Sequence, residues 1–185
     1  MEETLIFSNK KTCTLVVQKE ILTSSKLSLE DKTYVVFFDT NVQKLYEESL
    51  KKAFFPKTVF FLSVPASEKS KSFFQVNKLL KKLFLLGCDR NTILVAFGGG
   101  MVLDLVGFLG SVFLRGIEVQ FFPTTLLAMV DATFGGKTAV NTSFGKNLIG
   151  SFSHPSKIYL DTFFLKTLSN KGLKEGLSEM IKHFI

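Results

Sequence analysis

Residues 93–104, Ile93-Leu94-Val95-Ala96-Phe97-Gly98-Gly99-Gly100-Met101-Val102-Leu103-Asp104, decide the fold. The apolar run at 93–97 reads as a buried strand. It runs into three glycines, and a helix starts near Met101. The wider stretch 92–114 is long enough to cross a bilayer and carries one charge, Asp104. The triple glycine interrupts it, however, and a carboxylate at the bilayer centre costs about 2.5–3.5 kcal/mol on insertion scales. A strand, a glycine turn and a buried helix fit better, so no membrane partner is expected.

Outward from this unit, short β-rich runs alternate with helical stretches. Residues 15–17, 34–38, 59–62, 119–122 and 158–160 read as strands. Helices are expected over 42–54, ended by Pro56, and over an amphipathic stretch reaching Leu86 with Gly87 as its stop. A further helix opens at Thr124-Thr125 and runs to about Val130. Helical stretches cover 162–168 and 171 to the end. Residues 63–71 and the glycine-rich segment 134–150 read as loops. This alternation predicts an α/β fold, a parallel Rossmann-like sheet flanked by helices. Ligands in such sheets bind beyond the carboxyl ends of the strands. The loops 39–41, 66–71, 98–104 and 123–125 are therefore expected on one rim.

Composition narrows the function. The chain has 185 residues, 46% hydrophobic and 21% charged, which excludes intrinsic disorder as its main state. Its 23 Lys and Arg against 16 Asp and Glu give a net charge of +7. The cations are scattered singly or in pairs such as Lys51-Lys52, with no Arg-rich run, so a nucleic-acid partner is not expected. Most belong to a solvated face, and a minority can line a pocket for a small anion. Cys13 and Cys88 stand far apart without a CxxC, which points to a reducing, cytoplasmic setting. The acidic start, Met1-Glu2-Glu3, is not a secretory signal.

Individual motifs are each modest. Gly98-Gly99-Gly100 between strand and helix can cradle a phosphate on backbone N–H groups. It departs from GxGxxG because Leu103 holds the third glycine position, and a plain tight turn is the competing reading. Residues 131–138 approach a P-loop, but Asp131 replaces its first glycine and the segment follows a helix. Lys137 survives as an anion-binding candidate. Gly145-Lys146-Asn147 adds a cation and an amide. Glu179 with His183 at i, i+4 could share a metal, whereas Glu179 with Lys182 at i, i+3 makes an ordinary ion pair. Only His154 and His183 exist, too few for a self-contained zinc site.

In order along the chain stand Pro65-x-x-Glu68-x-x-Lys71, then Gly98-Gly99-Gly100-x-x-x-Asp104-x-x-Gly107-Phe108, then Arg115-Gly116. There follow Pro123-Thr124-Thr125-Leu126-Leu127-Ala128-x-Val130-Asp131, Gly135-Gly136-Lys137-Thr138, Gly145-Lys146-Asn147-Leu148-Ile149-Gly150 and Glu179-x-Ile181-Lys182. Together they resemble the 3-dehydroquinate synthases of the sugar phosphate cyclase family. The resemblance implies a phosphate-eliminating lyase of the shikimate pathway. It would convert 3-deoxy-D-arabino-heptulosonate 7-phosphate to 3-dehydroquinate and phosphate, with catalytic NAD and a divalent metal, Zn2+ or Co2+. It implies cofactor contacts from Asp39, Glu68, Lys71, Gly99, Gly100, Asp104, Thr124, Thr125, Lys137, Lys146 and Thr167. Arg115, Asp131, Lys137, Asn147 and Lys182 become catalytic or substrate residues, and Glu179 a metal ligand. Residues 1–161 would be the NAD-binding domain and 162–185 the start of a helical metal and substrate domain. A homodimer is expected for the full-length enzyme. Leu103 and Ser67 replace glycines of the family pattern, and Leu103 is expected to crowd the pyrophosphate turn. The family's two histidine ligands are absent, so 185 residues alone are expected to turn over weakly or not at all. A related metal-dependent alcohol or polyol dehydrogenase and a non-catalytic NAD-binding module stay open as alternatives.

Overall fold

The computed structural model describes residues 1–7, 12–23, 27 and 29–184. Ile185 and the His183 side chain, with the pairing of Glu179 and His183 on a metal, lie outside the described residues.

Among the described residues nine strands and four α-helices follow one another. They are β1 (Glu2–Ile6), β2 (Thr12–Val17), β3 (Tyr34–Asp39), α1 (Thr40–Phe54), β4 (Val59–Val64), α2 (Phe73–Leu85), β5 (Ile93–Gly98), α3 (Gly100–Val112), β6 (Val119–Pro123), β7 (Lys137–Thr142), β8 (Gly145–Phe152), β9 (Lys157–Leu160) and α4 (Asn170–Phe184). Seven strands form one sheet in the order β1-β2-β9-β6-β5-β3-β4, and β7-β8 form a separate hairpin. Every pairing in the large sheet is parallel except β1 with β2.

The continuous apolar runs of β3 and β5 are buried on both faces, as central parallel strands must be. Their side chains alternate between two cores. Val35, Phe37, Leu94 and Ala96 pack with α2 and α3, while Tyr34, Val36, Phe38, Val95 and Phe97 pack with α1. Each fully buried large apolar side chain stabilises by about 1.5–3 kcal/mol, so this strand pair dominates the core. The amphipathic stretch before Gly87 is α2, which buries Val76, Leu79 and Leu83 and is followed by Gly87 at φ +70°.

From β3 the chain crosses by α1 to the edge strand β4, whereas from β5 it crosses by α3 to β6 on the other side. The direction of winding therefore reverses between the neighbours β3 and β5. A crevice opens there, beyond Asp39 and Gly98, where open parallel sheets bind ligands.

Several expectations change. Residues 134–150 are largely the β7–β8 hairpin and not a loop. Its alternation is carried by few apolar groups, with Thr138 and Val140 buried and Lys137 exposed, and glycines mask the pattern. Residues 63–71 include the end of β4 and a short 3-10 turn, Glu68–Ser70. The helix after Thr125 becomes a π-helical segment, Ala128–Ala132. Residues 162–167 are 3-10, and β1 is an unexpected antiparallel edge strand. No described helix is long and apolar enough to cross a membrane.

Candidate functional site

The glycine turn begins the site. Gly99 precedes α3 in extended backbone, and no side chain caps that helix end. A Cβ on Gly99 would stand 3.2 Å from Thr125 Cγ2, and one on Gly100 would stand 3.7 Å from the Ala132 Cβ. The narrow turn thus offers bare backbone at a helix N-terminus, which suits a pyrophosphate. Thr124 is buried, and its N–H donates to Gly98 O at 2.9 Å, locking the β6 exit beside the turn. Thr125 Oγ1 accepts from Ala128 N at 3.2 Å and starts the next helical turn. Leu103 does not crowd this turn: it is wholly buried in the α2–α3 core, because its place on α3 faces the sheet. Ser67, the other departure, accepts from Lys69 N at 3.3 Å and starts the 3-10 turn that carries Glu68.

Asp39 closes the neighbouring side of the crevice. Its Oδ1 accepts from the N–H groups of Asn41 at 2.8 Å and Val42 at 3.0 Å, capping α1.

The centre of the site is Lys71, which is 4% exposed and therefore needs partners. Its Nζ forms an ion pair with Asp104 and donates to Asn147 Oδ1 at 2.5 Å. Burial pushes the Asp104 carboxyl above its ordinary range. The Lys71 ammonium opposes that shift, and the Glu68 and Asp131 carboxylates add to it. The loop after β4, the second turn of α3 and the hairpin thus meet at one ammonium. Glu68 joins through Asn141, whose Nδ2 donates to Glu68 Oε1 at 2.8 Å.

The hairpin reaches this position by lying across α3. A Cβ on Gly107 would run into Thr138, so only glycine permits that crossing. Thr138 and Ser151 share a hydroxyl contact of 2.9 Å, and Ser151 donates to Ser111 on α3 at 2.7 Å. A cleft of about 350 Å³ remains, lined by Asp104, Lys137, Asn147 and Ser151 among others. Lys146 is exposed on β8 and is not among its lining residues.

On the other side, Asp131 is exposed at the π-helical segment, close enough to act electrostatically on both Asp104 and Lys182. Helix α4 approaches the same segment through Gly176, where a Cβ would lie 2.7 Å from Leu127 N. Lys182 Nζ lies 2.9 Å from Glu179 Oε1, and that contact, more than Asp131, holds the lysine's pKa above its ordinary value. Among the described residues no group of three His, Cys, Asp or Glu side chains could hold a metal. These residues alone do not make a metal cage, and Glu179 offers one carboxylate.

Two expected residues stand apart. Thr167 lies on the α1 face, its hydroxyl 2.8 Å from Tyr46 Oη, beside a cleft of about 480 Å³. Arg115 is not brought to the rim. Helix α3 carries the chain down the sheet, so Arg115 emerges at the amino-end edge, in a recess with Arg90 and His154.

With this geometry in view, the profile described as 3-dehydroquinate synthase N-terminal matches residues 61–175. The chain belongs to that family. A 3-dehydroquinate synthase of Campylobacter hominis is 42% identical over 172 residues, covering 84% of this chain and 50% of that protein. This member of the 3-dehydroquinate synthase N-terminal family thus spans about half the length of that curated relative. Its fold matches 2-deoxy-scyllo-inosose synthase complexed with carbaglucose-6-phosphate, NAD+ and Co2+. That likeness has a TM-score of 0.91 at 27% identity over 98% of this chain and 51% of that one. It also matches ValA, the 2-epi-5-epi-valiolone synthase of Streptomyces hygroscopicus subsp. jinggangensis with NAD+ and Zn2+ bound. There the TM-score is 0.85 at 30% identity, covering 91% of this chain and 48% of that one.

Sequence reasoning assigned no role to Asn141, nor to the Thr138, Ser151 and Ser111 hydroxyl chain. The alternation of Thr138 and Val140 with polar neighbours was the one signal that could have exposed both, by revealing the hairpin.

Proposed function

We propose that this chain forms the nucleotide-binding part of a 3-dehydroquinate synthase. That enzyme is a phosphate-eliminating lyase acting on 3-deoxy-D-arabino-heptulosonate 7-phosphate. The observation that supports the reading is the Lys71 junction, where two cofactor candidates and one substrate candidate meet within hydrogen-bonding distance. In this reading residues 1–161 hold NAD, and residues 162–185 carry the carboxylate side of the site.

NAD held there would supply a reversible hydride acceptor, and while the sugar is oxidised its neighbouring proton would be acidic enough for elimination. The protein's residues do the rest. Gly99, Gly100, Thr124 and Thr125 receive the pyrophosphate, and Asp39 and Glu68 bind around it, while Thr167 stays apart beside Tyr46. Lys71 and Asp104 meet the cofactor where the hairpin crosses. Lys137 and Asn147, which line the cleft, offset and orient the anionic groups of the sugar phosphate. Asp131 and Lys182 flank the substrate from the α4 side, with Glu179 as one metal ligand. No step is assigned to the metal, because the described residues do not form its cage. The reading carries with it a cytoplasmic homodimer, which fractionation and sedimentation check.

Calorimetric titration with NAD tests the proposal. Saturable binding that Lys71→Ala weakens by about tenfold is expected, since a charge-assisted bond contributes about 1.5–3 kcal/mol. A folded chain without NAD affinity overturns it. Net NADH formation from a simple alcohol would favour the dehydrogenase reading, and full-rate phosphate release with added zinc would refute the single-ligand account of Glu179.

A further inference from the structure

We propose that Asn141 is a positioning residue that couples the nucleotide loop to the sugar-phosphate hairpin, an inference that rests on the functional reading above. The side-chain amide of Asn141 is used at both ends. Its Nδ2 donates to Glu68 Oε1 at 2.8 Å, and its Oδ1 accepts from the Asn147 N–H at 3.1 Å. Its own backbone N–H donates to Lys71 O at 2.8 Å, and Asn141 pairs with Ser72 as an isolated bridge. One residue therefore joins Glu68 and the Lys71 backbone, neighbours in one loop, to Asn147 on the hairpin.

The bond to Asn147 matters because Asn147 adopts φ +58°. Asparagine is among the few residues besides glycine that enter that left-handed conformation readily, so its backbone there needs an anchor to fix one direction for the side chain. The Asn141 side-chain carbonyl oxygen supplies that anchor by accepting from the Asn147 N–H, next to the side chain whose Oδ1 meets Lys71. Shifting Glu68 on nucleotide binding therefore shifts the acceptor that holds Asn147. By linkage, a ligand that orders Asn147 also favours the nucleotide.

The donor and acceptor ends can be separated. Asn141→Asp keeps an acceptor for Asn147 but sets a carboxylate against Glu68. Adding Glu68→Gln restores a donor–acceptor pair with reversed polarity. The experiment measures NAD affinity by calorimetry and Asn147 amide exchange by NMR, on folded full chains.

Asn141→Ala is expected to speed Asn147 exchange by up to about tenfold, the effect of losing one hydrogen bond. Asn141→Asp is expected to keep that protection while weakening NAD about tenfold. The Asn141→Asp/Glu68→Gln pair is expected to return to within about threefold of Glu68→Gln alone. Unchanged Asn147 exchange in Asn141→Ala, or in Asn141→Ser if the alanine variant fails to fold, overturns the positioning role. Absence of rescue in the double variant overturns the coupling. If the wild-type chain binds no NAD, the functional reading falls, and Asn147 exchange still decides whether Asn141 positions the hairpin.

Discussion

Replacing Lys71 by Met tests the central ion pair most directly. Lys71 is almost wholly buried, and the Asp104 side chain is 21% exposed. Removing one partner of a buried pair costs about 3–5 kcal/mol, because the other charge stays without compensation. The partial exposure of Asp104 puts Lys71→Met near about 3 kcal/mol. Asp104→Leu is expected to cost less, about 2 kcal/mol, because Asn147 still accepts from Lys71. The double variant removes both charges and is expected to lose only about 2 kcal/mol in total, a coupling of about 3 kcal/mol. Urea unfolding followed by circular dichroism at neutral pH measures all three. The pH dependence has a definite sign. Burial raises the folded pKa of Asp104, so its charge destabilises the fold above that raised value and not below the ordinary carboxylate range. The deficit of Lys71→Met therefore shrinks as pH falls through that window. Additive losses of about 5 kcal/mol in the double variant, or a deficit that grows on acidification, would refute the account.

Asp39→Ala removes both cap bonds of α1 and is expected to cost about 0.5–2 kcal/mol in thermal unfolding. Gly176→Ala sets a methyl against Leu126 and the Leu127 backbone, and overpacking there is expected to cost about 1–3 kcal/mol by urea titration. Lys137→Ala leaves stability within about 0.5 kcal/mol, because the residue is exposed, yet weakens sugar-phosphate binding in a competition assay. Burial pushes the Cys13 thiol up to about 11, so iodoacetamide is expected to spare it in the folded chain and label it in urea, as mass spectrometry reads.

Much of the scaffold was legible locally. The apolar runs of β3 and β5 could pack only as doubly covered strands, and the spacing of Val76, Leu79 and Leu83 could only be one helical face. The strand-end loops followed, because parallel strands put all such loops on one rim. Family motifs then named most of the candidate residues by type and order. Tertiary structure decided the rest, since it depended on partners distant in the chain. The Lys71 junction joins residues 33 and 76 positions apart, which no local window reports. The β7–β8 hairpin owes its place to the missing side chain of Gly107 and to the Ser111 hydroxyl on α3, not to strand propensity of its own. Leu103 went into the core and Arg115 to the far edge for the same reason: a helix thirteen residues long rotates one side chain away from its terminus and carries the next loop across the sheet.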